Sequence, residues 1–103
     1  MKAVKVQYTV KESYVETNKK NIEQVMTDLR ALNNPGIKYS AFLLDDGRTF
    51  VHLAMYPDEA TMAIVGDLEA FQKFRQALKE SQPEVPPQAE DLNLVASAFD
   101  FFV

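Results

Sequence analysis

Cysteine and tryptophan are absent from this 103-residue chain, histidine occurs once, and glycine occurs three times. Without cysteine there is no disulfide framework, no thiolate nucleophile and no thiolate-ligated zinc or iron–sulfur centre. A lone histidine does not supply the three or four nitrogen or sulfur ligands of a protein-only zinc site. Basic residues are in deficit, with 11 Lys and Arg against 15 Asp and Glu and a net charge of −4. Their longest run is Lys19–Lys20, so no basic surplus exists to displace counterions from a phosphate backbone, and no nucleic-acid partner is expected. No apolar run approaches the roughly 20 residues of a membrane span. Lys2 and Lys5 interrupt the N-terminal apolar residues, which leaves no signal-peptide core. A cytoplasmic protein without membrane attachment is therefore expected.

What is present is an ordinary globular composition, 47% hydrophobic and 25% charged. Residues 1–103 are read as one domain, large enough to bury about two-thirds of the unfolded surface. From residue 3 to 10, Val4, Val6, Tyr8 and Val10 alternate with Lys5, Gln7 and Thr9, the period of a strand. From Thr17 to Leu32 the period lengthens. Ile22, Val25, Met26, Leu29 and Leu32 form one helical stripe, with Thr17 or Asn18 as a cap and Asn33-Asn34-Pro35-Gly36 as the stop. Ile37–Leu44 and Arg48–Tyr56 read as a hairpin around Asp45-Asp46-Gly47. Asp58 caps a short helix ending near Gly66, and Asp67 caps a second segment with Leu68, Phe71, Phe74 and Leu78 on one side. Pro83, Pro86 and Pro87 predict an extended crossover, and residues 92–103 a closing strand.

This order is β-α-β-β-α-β, a ferredoxin-like α+β fold with both helical regions on one face of a four-stranded antiparallel sheet. Three of the strands read as apolar on both faces. A face without helices that is nonetheless apolar requires a cover, and a second copy is the simplest one, so a homodimer is expected with Phe99 and Phe101 near its interface.

The element order, the string Thr49-Phe50-Val51-His52-Leu53-Ala54-Met55-Tyr56-Pro57-Asp58-Glu59-Ala60 and the string Phe71-Gln72-Lys73-Phe74 resemble the dimeric α+β barrel superfamily. Within it, the chain looks most like the antibiotic-biosynthesis-monooxygenase-like proteins. The resemblance implies a ligand pocket between sheet and helices in each subunit, and no bound organic cofactor or metal. It also implies an activity, the oxygenation of an aromatic or quinone-like compound. Several positions depart from the family pattern. Tyr56 stands where many members carry Trp, and Val65 and Ala70 where many carry histidine. Arg75 stands where the haem-degrading branch has its iron-ligating histidine, which speaks against haem degradation; Gln7 lies near that branch's strand-one Asn.

The candidate chemistry is sparse. His52 shares a strand face with Phe50, Ala54 and Tyr56, and is read either as a base or hydrogen-bond donor in a pocket or as a locally satisfied core residue. Tyr56 and Tyr39 offer stacking and a phenolic hydroxyl, or simply core volume. Arg75, one turn from Phe71, offers a cation to an acidic ligand or a solvated helix face. The expected site is thus His52 and Tyr56 as catalytic residues, with Gln7, Phe71 and Arg75 around the ligand. A catalytic triad, a phosphate-binding glycine loop and a dinucleotide fingerprint are all missing. Three readings stay open: a cofactor-free monooxygenase, a non-catalytic module binding a small aromatic ligand, and a structural homodimer.

Overall fold

A computed structural model describes residues 1–102. The elements run β1 (Lys2–Thr9), α1 (Val15–Ala31), β2 (Lys38–Leu43), β3 (Thr49–Tyr56), α2 (Glu59–Asp67), α3 (Glu69–Glu80) and β4 (Val85–Leu92), with a 3-10 turn at Glu12–Tyr14 before α1. The strands form one antiparallel sheet in the order β2-β3-β1-β4. This is the ferredoxin-like plan expected from the pattern, with the second helical region divided in two. Leu68 makes the division: its extended backbone (φ −66°, ψ 127°) ends α2 and begins α3. Asp67, expected to cap α3, is instead the last residue of α2.

Local chemistry explains most boundaries. Asn33 takes a left-handed φ of 51° just after α1, the conformation that closes many helices. Gly47 takes φ 75° in the β2–β3 turn, where the Asp46 carboxylate accepts the backbone N–H groups of Arg48 and Thr49 at 2.9 and 2.8 Å. Asp58 caps α2 as expected, accepting the Thr61 N–H at 2.8 Å. Neither Thr17 nor Asn18 caps α1. The helix begins earlier, at Val15, and Asn18 lies within it, fully buried.

Pleating settles which residues meet the helices. Val6 lies opposite His52, Tyr8 opposite Phe50, and Ala41 opposite His52, so these residues share the helix-covered face. The core on that side joins Tyr8, Phe50 and Tyr56 to Val25 and Leu29 of α1 and to Phe74 and Leu78 of α3. Lys5, Gln7, Phe42, Val51, Leu53 and Met55 belong to the opposite face.

The fourth strand is not where the pattern put it. β4 is the proline segment itself, paired with β1 from Thr9↔Val85 to Ala3↔Leu92, while residues 93–102 form no strand and bend at 98, 99 and 101; residue 103 of the expected closing strand lies outside the described residues. Pro86 and Pro87 are tolerated because β4 is an edge strand and its register shifts between Gln7 and Thr9, where ladder hydrogen bonds are already interrupted. The expectation that a fourth strand is apolar on both faces falls with this reassignment. Every residue of β4 is exposed, and Gln88 and Glu90 lie on the helix-free side.

Candidate functional site

His52 is held in the middle of β3 with Tyr8 and Tyr39 as its diagonal neighbours on β1 and β2, a spacing long aromatic side chains span. The Tyr8 hydroxyl lies 2.8 Å from His52 Nε2, and the Tyr39 hydroxyl 2.8 Å from His52 Nδ1. Behind them, Asn18 Nδ2 donates to the Tyr8 hydroxyl at 2.9 Å. Four side chains from three strands and one helix thus form a continuous row, Asn18–Tyr8–His52–Tyr39. Both ring nitrogens of His52 are engaged within the protein.

The row is dry at its inner end. Asn18 is 0% exposed, Tyr8 1% and His52 4%. Burial holds the imidazole down at a pKa of about 4, because a charged ring there loses its hydration. His52 is therefore neutral at pH 7. Burial pushes the Tyr8 and Tyr39 phenols well above their usual range; neighbouring tyrosines add to the rise for Tyr39, and Arg75 opposes it.

The outer end opens into a cleft of about 930 Å³ between the sheet and α3. Tyr39 and His52 line its floor, Phe71, Phe74 and Arg75 its helical wall, and Pro86 and Pro87 of β4 its rim. Phe71 meets Tyr39 edge-on at 6.2 Å between ring centroids, and Phe74 lies 5.5 Å from the imidazole. The Arg75 guanidinium sits 5.8 Å from the Phe71 ring centroid. Among the described residues it has no carboxylate partner within salt-bridge distance. The cleft therefore offers aromatic faces, the Tyr39 phenol, one imidazole and two cations, Arg75 and Lys79, a set suited to a flat organic ligand bearing oxygen. No group of three His, Asp or Glu side chains gathers among the described residues. A second groove, about 1020 Å³, runs along α1 and the edge of β2; it shares Tyr39 with the first, but His52, Phe71 and Arg75 line only the cleft.

Of the residues expected at the site, His52, Phe71 and Arg75 come together in this cleft. Tyr56 does not reach it. It shares the His52 face, but four residues of strand are about 13 Å, and its ring is buried in the core with its phenol pushed up to about 12 by desolvation. Gln7 is excluded by the pleat: it pairs with Val51 and lies on the helix-free face. Tyr8 and Asn18 join the site without having been among the residues expected there. The signal was nonetheless in the chain, since Asn18, Ile22, Val25 and Leu29 fall at i, i+4, i+7 and i+11. A polar side chain on an apolar stripe must find a buried partner.

The sequence matches no protein-family profile. A search of curated proteins finds no match. Solved structures do match the fold. An antibiotic biosynthesis monooxygenase superposes with a TM-score of 0.78 at 16% identity, covering 93% of this chain and 100% of its own. Rv0793 from Mycobacterium tuberculosis gives 0.79 at 16% identity over 95% of this chain and 98% of that one. An asparagine-to-alanine mutant of SnoaB, a cofactor-independent oxygenase from Streptomyces nogalater, gives 0.73 at 11% identity over 96% and 97%. The chain has the ferredoxin-like fold of the antibiotic biosynthesis monooxygenase structures.

Proposed function

We propose that the cleft binds a flat aromatic compound carrying a carbonyl or acidic hydroxyl, and that the protein is a cofactor-independent monooxygenase of that compound. The observation that carries this reading is the Tyr39–His52 pair, joined at 2.8 Å on the floor of a cleft walled by Phe71, Phe74 and Arg75. The phenylalanines and prolines hold the ring faces. Arg75 offsets negative charge on a ligand oxygen. Because both imidazole nitrogens are already bonded, His52 acts on the ligand through the Tyr39 hydroxyl rather than directly.

In such a reaction a doubly benzylic CH2, made acidic by a conjugated carbonyl, loses a proton to water. The carbanion passes one electron to O2, the two radicals join as a peroxide anion, that anion takes back a proton from water, and loss of water leaves a carbonyl. Overall, CH2 and O2 become C=O and H2O, with no external reductant. Catalysis is then mainly electrostatic, through hydrogen bonds aimed at the oxygen on which charge develops.

Oxygen uptake with an anthrone, measured at one O2 per substrate, tests the activity. Tyr39→Phe and Arg75→Ala are each expected to lower the rate at least tenfold. Absence of uptake by the unmodified protein, across anthrones and naphthohydroquinones, removes the catalytic reading. One observation favours a non-catalytic binding module instead: among the described residues no unengaged base faces the cleft. A ligand-dependent rise in Tm without oxygen uptake is the outcome that selects it. The working unit in either reading is a homodimer, supported by the apolar side chains exposed on the helix-free face.

A further inference from the structure

We propose that the buried row starting at Asn18 runs in one direction, so that Tyr39 presents its proton, and not a lone pair, to the cleft and selects ligands with an acceptor oxygen there. This rests on the reading of the cleft as a ligand site. The direction follows from counting donors and acceptors along the row. Asn18 places its amide nitrogen 2.9 Å from the Tyr8 oxygen and leaves its own Oδ1 without a partner. The reverse orientation would leave the NH2 group orphaned instead, and a buried donor without a partner is rarer in proteins than an under-satisfied carbonyl. Tyr8 therefore accepts a hydrogen bond from Asn18. Its own hydroxyl proton has one acceptor available, His52 Nε2 at 2.8 Å. With Nε2 accepting and the ring neutral, the ring proton resides on Nδ1 and is donated to the Tyr39 oxygen at 2.8 Å. No protein acceptor takes the Tyr39 proton among the described hydrogen bonds, and Tyr39 lines the cleft.

The ligand chemistry follows. A carbonyl, enolate or phenolate oxygen meets the Tyr39 O–H, with the Arg75 guanidinium on the wall above, and a ligand that offers only an aromatic hydrocarbon edge leaves that proton unused. The Tyr39 hydroxyl also donates more strongly for already accepting from Nδ1–H, since successive hydrogen bonds polarise one another. Tyr39 is the contact residue; Asn18 and Tyr8 are positioning residues.

The chain's single histidine makes the direction measurable without ambiguity. Long-range 1H–15N correlation spectra of uniformly 15N-labelled, ligand-free protein at pH 7.5 report which ring nitrogen carries the proton. A protonated Nδ1 with a bare Nε2 is expected; protonated Nε2, or an even mixture, overturns the proposal whatever the cleft binds. The selectivity is read separately with two probes that share ring system and anion, anthraquinone-2-sulfonate and anthracene-2-sulfonate. The carbonyl-bearing probe is expected to bind about tenfold more tightly, the effect of one hydrogen bond. Tyr39→Phe should abolish that difference while both probes still bind. Equal affinities in the unmodified protein overturn the selectivity, and failure of both probes to bind overturns it together with the ligand-site reading, leaving the tautomer result to stand or fall alone.

Discussion

His52 is neutral because burial opposes its charge, and this links stability to pH. The unfolded chain takes up a proton near pH 6.5, whereas the folded ring holds out to about 4. The unfolded state therefore binds more protons between these values, and stability falls as pH drops through the window. A displacement of this size corresponds to roughly 3 kcal/mol at most. Urea unfolding of the native protein and of His52→Gln, compared from pH 7.5 to 4, should show a steeper loss for the native chain. Parallel curves would mean that the ring titrates normally. Tyr8 is the second residue whose removal speaks clearly. Tyr8→Phe leaves Asn18 Nδ2 and one imidazole nitrogen without their partner and should lower stability by about 1–3 kcal/mol. A shift of the urea midpoint with an unchanged slope is the expected signature.

Elements are governed by a few local devices, and each has its own weak point. The β2–β3 turn depends on Gly47 at φ 75°, where a Cβ meets no neighbouring atom but is disfavoured by the backbone itself. Gly47→Ala should therefore destabilise by about 1 kcal/mol through conformation alone. Asp58→Ala removes the only side-chain cap observed among the three α-helices described, and should lower Tm measurably with no effect on probe binding in the cleft. The edge strand β4 is tied to the turn by Arg48, whose guanidinium bonds both Glu84 oxygens at 2.8 and 3.0 Å. That pair is solvent-exposed on both sides, so its net contribution is small. The prolines of β4 have a different consequence. They limit hydrogen bonding along an outer edge and so blunt it against pairing with other chains.

On the scale of the whole molecule, the helix-free face carries the unresolved balance of apolar surface. Phe42 is 53% exposed and Phe99 64%. Phe99 and Phe101, tilted at 56° with ring centroids 4.6 Å apart, line a groove with Phe42, Leu53 and Met55. A second copy covering this surface is the occupant we propose, and light scattering of the unmodified protein at micromolar concentration should return the mass of a dimer. The double substitution Phe99→Asp with Phe101→Asp is expected to give monomer or aggregate, because two charges would enter a desolvated contact. A well-behaved monomer for the unmodified chain would end the proposal. Among the described residues no helix is long and apolar enough to cross a membrane.

Periodicity along the chain was enough to specify β1, α1, the β2–β3 hairpin and the helical stripe of α3, because each is stated by nearby residues: alternation of two, a repeat of 3.6, or a turn that needs Gly47. The same patterns identified His52 as a residue with a choice of roles and put Phe71 and Arg75 one helical turn apart. Three matters were decided only by the tertiary structure. Pairing with β1 turned the proline segment into a strand and left residues 93–102 irregular, since an edge position forgives missing N–H groups that a central one does not. The pleat in register removed Gln7 from the cleft, and distance along the strand removed Tyr56. Finally, Asn18 and Tyr8 gained their roles from an encounter across 10 residues, and His52 from encounters across 44 and 13, separations at which no local signal passes between side chains. A sequence states what each segment prefers; which nitrogen of a buried ring carries a proton depends on what the fold brings within 3 Å of it.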